Sequence, residues 1–215
     1  MLSKRLQEIA NLVDKNKTVY DVGSDHGLLP CFLVKDGICP KAYAGDNKQG
    51  PLNRAIQAIN KYGLQGKVIP VLADGIEKIG SDVDIITIAG MGYYTVEHIL
   101  KDRDLSKYDK LIVQVNKETN YLRQFISDNH YTIIDERVVE DGFYYEIVVF
   151  NANKHEPYND LEIKYGPILL ERKDEVFVNY LNNRKNKLKA IYKLSNEHKI
   201  LESIKEIDEI LGYNL

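Results

Sequence analysis

Tryptophan is absent from the chain's 215 residues, and cysteine occurs only twice, as Cys31 and Cys39. The two cysteines form no C-x-x-C pair and suggest no metal site, which points to a reduced, cytoplasmic compartment. No apolar run approaches the ~20 residues a membrane span needs, so no membrane partner is expected. The opening "MLSKRLQEIANLV" contains an acid and spaces its apolar residues helically, so it does not read as a signal peptide. There is no internal repeat and no low-complexity tract. Excess positive charge is missing too. The formal net charge is −3, and a nucleic-acid partner would need a local basic patch. The phosphate signatures are also lacking: no G-x-G-x-x-G and no Walker lysine. Tyrosine, by contrast, occurs 15 times. Such rings can stack on bases, although most are expected to pack at core edges.

What is present alternates. Leu2, Leu6, Ile9, Leu12 and Val13 recur at helical spacing and predict an amphipathic first helix. Strands are expected over 18–22, 41–45, 68–72, 83–89 and 111–115. Helices are expected over 28–35, 51–62, 95–100 and 119–129. Pro30 has no N–H to donate and so belongs in the first turn of its helix. Two further strands, 131–139 and 144–150, flank Asp141-Gly142, a hairpin signal. Repeated βα units imply an α/β fold with a parallel, doubly wound sheet covered on both faces. Such a sheet closed by an antiparallel hairpin is the Rossmann-like arrangement of methyltransferases that use S-adenosylmethionine. "NANKHEPYND" reads as a linker or a short crossing segment, and the sequence beyond it turns helical. Phe177, Leu181, Leu188 and Ile191 form one stripe; Leu201, Ile204, Ile207 and Leu211 form another. Two antiparallel helices around a narrow seam, a small coiled-coil domain, would satisfy both. Residues 1–152 are therefore expected to form the cofactor-binding catalytic domain and residues 153–215 the helical one. A tail of two paired helices need not dimerise, and a monomer is expected.

In a doubly wound sheet ligands bind at the carboxyl ends of the strands. The loops there read Asp21-Val22-Gly23-Ser24-Asp25-His26-Gly27, Gly45-Asp46-Asn47, Ala73-Asp74-Gly75, Ala89-Gly90-Met91-Gly92 and Asn116. Gly23 and Gly27 let the backbone turn sharply and approach a ligand. An amino-acid moiety with a cationic centre suits this turn better than a pyrophosphate. Asp46, about 20 residues further on, stands where a carboxylate accepts from both hydroxyls of a ribose. Asp74 could accept from an adenine amino group. Taken singly, each acid could be a cap or a turn residue. Together they suit S-adenosyl-L-methionine, with Asp21, Gly23, Ser24, Gly27, Asp46, Asn47, Asp74, Gly75, Ala89, Gly90 and Met91 as its expected contacts.

"DVGSDHGLLP", "AGDNKQGPL", "ADGIE", "ITIAGMG", "YGPILL" and the helical tail resemble the bacterial tRNA (adenine-22) N1-methyltransferases. The resemblance covers nearly the whole chain and implies transfer of a methyl group to N1 of that adenine in tRNA. The chain departs from the family at Tyr93, where another glycine is usual, and at Val115, which gives "QVN" for "QPN".

Many methyltransferases read D-x-G-x-G-x-G in the first turn; here Asp25 takes the middle position. A carboxylate there could accept from the exocyclic amine of adenine and push electron density toward N1, a weak nucleophile. Asp25 is thus the expected catalytic residue, with His26 orienting it or touching cofactor. The bland alternative is that Asp25 caps the following helix. Methylation of an exocyclic adenine amine commonly uses N-P-P-Y or D-P-P-Y after the fourth strand, and "AGMGYY" has no proline. Gly92 leaves room for a flat base, Tyr93 or Tyr94 could stack on it, and Asn116 could hydrogen-bond it. Arg184 to Lys199 carries six basic residues and one acid. Arg184, Lys185, Lys187 and Lys189 are expected to meet RNA phosphates, although such a run is often only a solvated face. Two other readings stay open: a methyltransferase for a small molecule or protein, and a cofactor-binding protein without catalysis.

Overall fold

The computed structural model describes residues 2–212. Strands β1 (Val19–Val22), β2 (Ala42–Asp46), β3 (Val68–Leu72), β4 (Ile85–Met91), β5 (Lys110–Val115), β6 (Thr132–Asp141) and β7 (Phe143–Asn151) form one sheet in the order β3-β2-β1-β4-β5-β7-β6. The first five are parallel, and β7 runs antiparallel to both β5 and β6. The first helix is α1 (Lys4–Asn11), and α2 (Leu28–Lys35), α3 (Gln49–Tyr62), α4 (Tyr93–Leu100) and α5 (Thr119–Asp128) are the crossovers. Helices α1 to α3 cover one face around Ile9, Leu33, Ala55, Ile85 and Ile112. Helices α4 and α5 cover the other, around Val96, Ile99, Leu122 and Ile126. Central strands buried on both sides need near-continuous apolar runs, as in "IITIA". Pro70, which lacks a ladder donor, is confined to the edge strand β3. Cys31 and Cys39 are core fillers, and burial pushes their thiols up to about 11 and about 12.

The fourth strand starts two residues later than its hydropathy predicts. The Asp84 carboxylate accepts from the Thr18 N–H at 2.7 Å, and the Val83 N–H is held by Gly80 O in a turn. The next helix starts at Tyr93 rather than Thr95, so both tyrosines of "GYY" are helical.

Beyond β7 the chain returns to the sheet. Tyr158 is buried; its N–H donates to the Ser127 hydroxyl oxygen at 2.9 Å, and its own hydroxyl accepts from Ile133 N–H at 2.8 Å. Then come α6 (Asp160–Tyr165), α7 (Pro167–Arg172), α8 (Glu175–Ser195) and α9 (His198–Leu211). The α8–α9 pair packs Phe177, Leu181, Ile207 and Ile210 onto Tyr165, Leu169 and Val138. The expected stripe is corrected at its far end. Ile191, near the turn that joins α8 to α9, is half exposed, because apolar contact is concentrated at the docked base.

An ion network locks this base. Arg123 on α5 is fully buried, with Nε 2.7 Å from Glu136 Oε1 and Nη2 2.6 Å from Glu146 Oε2. Tyr180 of α8 donates to Glu146 at 2.9 Å, and the Ile168 N–H of α7 donates to Glu136 at 3.1 Å. Burial alone would disfavour the guanidinium charge, but the two carboxylates hold it protonated. Gly166 crosses directly over the network at φ +93°, and a Cβ there would lie 2.5 Å from Glu136 Oε2 and 2.8 Å from Arg123 Nη2. "YGPILL" is thus a close backbone approach followed by a proline at the start of a helix. Gly166→Ala should cost about 2–4 kcal/mol in urea unfolding. A midpoint equal to the wild type's would show that the network tolerates the added methyl.

Candidate active site

Strand order reverses between β1 and β4: one crossover leads from β1 outward to β2, and another returns from β3 to β4. That is where an open α/β sheet leaves a crevice. A cavity of about 550 Å³ lies there, lined by Asp21, Gly23, Ser24, Asp25, His26, Asp46, Asn47, Ala89, Gly90 and Met91. Asp21, Gly23, Asp25, Asp46 and Gly90, expected from separate strand ends, therefore share one rim.

The turn after β1 is tight. Gly23 has φ +68°, and a Cβ on it would stand 2.1 Å from Met91 Cε. His26 also adopts a left-handed backbone, φ 64°, which is uncommon for a side-chain-bearing residue. Asp21 sits opposite Thr87 in the β1–β4 register and accepts from its hydroxyl at 2.7 Å. Burial pushes the Asp21 carboxyl up to about 6, while the Ser24 and Thr87 hydroxyls pull it down. Asp46 Oδ1 accepts from Lys48 N–H at 2.9 Å, which shapes the loop after β2. Asn47 Nδ2 donates to Asp74 Oδ1 at 3.3 Å, so Asp74 joins the rim through its neighbour.

Asp25 is half exposed and accepts on Oδ1 from Arg54 Nη2 at 2.6 Å and Nε at 3.1 Å. Its other oxygen lies 3.7 Å from His26 Nε2. The capping alternative fails, since the N-cap of α2 is Gly27 and no side chain closes it. "GMG" and "QVN" are tied together: Gln114 Oε1 accepts from Gly90 N–H at 3.0 Å, Asn116 Nδ2 donates to Gly90 O at 2.8 Å, and Asn116 N–H donates to Met91 O at 2.8 Å.

Several expected contacts stand elsewhere. Gly27 packs against Ala55 of α3, and Gly75 packs against Ile99 of α4; neither lines the cavity. Gly92 is the N-cap of α4. Tyr93 is corrected from a base contact to a buried residue. It belongs to the inward face of α4, and its hydroxyl donates to Glu97 at 2.9 Å. Burial and that bond hold its phenol well above the usual range. The departure from glycine there therefore leaves the cavity untouched. Lys185 is corrected likewise: it is buried between α8 and α9, 2.8 Å from Asp208. Arg184 and Lys187 do share a second crevice with Asn116, and Lys189 is exposed further along α8.

Sequence reading missed Arg5, Arg54, Thr87 and Gln114. Arg5 lines the cavity and donates to Gln114 Oε1 at 2.7 Å. Thr87 left a trace as the one hydroxyl inside an apolar run, and Gln114 as the first residue of "QVN".

A family model described as tRNA (adenine(22)-N(1))-methyltransferase matches residues 19–214. The chain belongs to this family. It is 34% identical over 201 residues to the Bacillus subtilis tRNA (adenine(22)-N(1))-methyltransferase, covering 89% of this chain and 84% of that one. A Streptococcus pneumoniae structure in complex with S-adenosyl-L-methionine superposes with a TM-score of 0.89 at 32% identity, covering 98% of this chain and 100% of that one. The M. capricolum TrmK in complex with S-adenosyl-homocysteine gives a TM-score of 0.82 at 33% identity, covering 99% and 97%. The family's "GMG" thus has a structural reading in this chain: its backbone is what Gln114 and Asn116 hold.

The folded Asp21 keeps its proton up to about 6, whereas an unfolded aspartate loses it near 3.8. The folded state therefore binds more protons across that window, and stability falls as pH rises through it. Asp21→Asn keeps the bond from Thr87 but cannot ionise. Between pH 4 and pH 7.5 the stability difference should move in the variant's favour by roughly 2–3 kcal/mol in urea unfolding. An unchanged difference would mean that Asp21 ionises as freely when folded as when unfolded.

Proposed function

We propose that this enzyme transfers the methyl group of S-adenosyl-L-methionine to N1 of the adenine at position 22 of tRNA, in the cytoplasm and as a single chain. The observation that carries the reading is the gathering of Asp21, Gly23, Asp46 and Gly90 around one cavity at the sheet's switch point, in a chain of this family. The residues present fit the cofactor. Asp21 offers a buried carboxylate whose side-chain partner is the Thr87 hydroxyl, Gly23 holds a left-handed backbone that other residues rarely adopt, and Asp46 ends β2 where a ribose is held. When bound, S-adenosyl-L-methionine supplies an electrophilic methyl group on a sulfonium. Asp21 would balance the cofactor's ammonium group, Asp46 would accept from its ribose hydroxyls, and the Asn47–Asp74 pair would border its adenine.

Asp25 is the catalytic residue of this reading. Arg54 grips Oδ1 and fixes the carboxylate's orientation, which leaves Oδ2 to accept from the exocyclic amine of the target adenine. That hydrogen bond raises electron density at N1 and stabilises the positive charge the ring acquires on alkylation. His26, next to Oδ2, borders the same position. Asn116 lines the neighbouring crevice and bonds to Gly90 of the cavity wall. Residues 1–152 hold cofactor and target base; residues 153–215 carry Arg184, Lys187 and Lys189 for the RNA backbone.

The deciding experiment is nucleoside mapping of bacterial tRNA treated with enzyme and labelled cofactor. N1-methyladenosine at position 22 is expected; label on an exocyclic amine, or none in tRNA, would overturn the reading. Asp25→Asn should lower kcat by about 100-fold or more while the cofactor Kd, read by calorimetry, stays within a few-fold. Full turnover in that variant would remove Asp25 from the chemistry.

A further inference from the structure

A crevice of about 670 Å³ opens between the β6–β7 hairpin and α8. Asn116, Lys117, Phe143, Tyr145, Arg184 and Lys187 line it. Phe143 directly follows Gly142 at the hairpin turn and is 73% exposed. A phenylalanine at a hairpin tip gains nothing from water, and no packing among the described residues accounts for it. Tyr144 and Tyr180, with ring centroids 5.7 Å apart, form part of the crevice wall. Lys117, Arg184 and Lys187 outnumber Glu140 among the charged lining groups, so the crevice is cationic within an anionic chain.

The crevice adjoins the cofactor cavity along a shared wall. Asn116 lines the crevice and hydrogen-bonds Gly90, which lines the cavity. Arg5 lines the cavity and holds its guanidinium 5.0 Å from the ring centre of Tyr145, which lines the crevice. A base with its N1 presented to the cavity brings its neighbouring nucleotides to this side. Those neighbours lose a stacking partner when the target leaves its stack. An exposed aromatic beside paired cations is the chemistry that receives an unstacked nucleotide.

We propose that this crevice binds the nucleotide flanking the target adenine, with its base stacked on Phe143 and its phosphate held by Arg184 and Lys187. The inference rests on the functional reading above and adds the residue that keeps the RNA strand open. Phe143→Ala should lower kcat/KM for tRNA by about tenfold or more, with an unchanged Kd for S-adenosyl-L-methionine. Phe143→Trp should recover most of the loss. Because the chain has no tryptophan, the introduced indole is also a lone fluorophore. Its emission should be quenched by saturating tRNA and not by cofactor alone. Wild-type kcat/KM in Phe143→Ala, or indole emission indifferent to saturating tRNA, would overturn the inference. Wild-type enzyme assayed in parallel separates the two levels. Unmethylated tRNA sinks the functional reading with it, whereas methylated tRNA with indifferent Phe143 variants sinks this inference alone.

Discussion

A carboxylate buried where two central strands part sets the terms for the rest of the site. Asp21 and Thr87 meet because β1 and β4 are paired in register at the reversal of strand order. The strand ends that bring Asp46, Gly90 and Asn116 near it follow from the same parallel ladder. Burying an acid with only hydroxyl partners is unfavourable, and the raised Asp21 pKa measures that. Buried, perturbed acids of this kind cluster at functional sites, and a cationic ligand would supply the charge that Asp21 lacks.

The Arg123 network does for the tail what the ladder does for the strand ends. It joins α5, β6, β7, α7 and α8 through one guanidinium, so the α8 helix is held at a fixed place beside the sheet. Arg184 and Lys187 are therefore positioned groups. They follow Tyr180, the helix's own member of the network, by about one and two helical turns. A charged lock is also directional in a way an apolar contact is not, because misplacing α8 would strand a buried ion.

The strand ends were legible because each acid or glycine follows an apolar run directly, and local pattern is all that such a reading needs. The whole βα alternation and the Asp141-Gly142 hairpin came from the same signal. What was not legible depends on distant partners. Nothing near Asp25 announces Arg54, 29 residues away on α3, and nothing near Asp21 announces Thr87. The errors at Lys185 and Tyr93 are different, since the helical phase held the answer. Phe177, Leu181, Lys185 and Leu188 lie on one stripe, as do Tyr93, Val96 and Leu100. A basic composition and an aromatic ring outweighed the spacing, and spacing decided burial.

Two ligands of opposite charge must meet within bonding distance: a cationic cofactor and a polyanionic RNA. One uniform field would repel one of them. The chain grades the fields: Asp21, Asp25 and Asp46 outnumber Arg5 and Lys48 on the cavity side, and Lys117, Arg184 and Lys187 outnumber Glu140 on the crevice side. Between them stands a seam in which Gln114 and Asn116 bond to Gly90 and Arg5 donates to Gln114. Asp25, the exposed acid of the first turn, has its charge offset by Arg54. An acid left bare on that rim would oppose the approach of phosphates; one fully neutralised could not draw a proton of the adenine amine toward it. In the proposed reaction a carboxylate with Oδ1 gripped by Arg54 and Oδ2 left to the adenine amine would satisfy both demands, so that proposal rests on the pairing at Oδ1 more than on the presence of an aspartate in the turn.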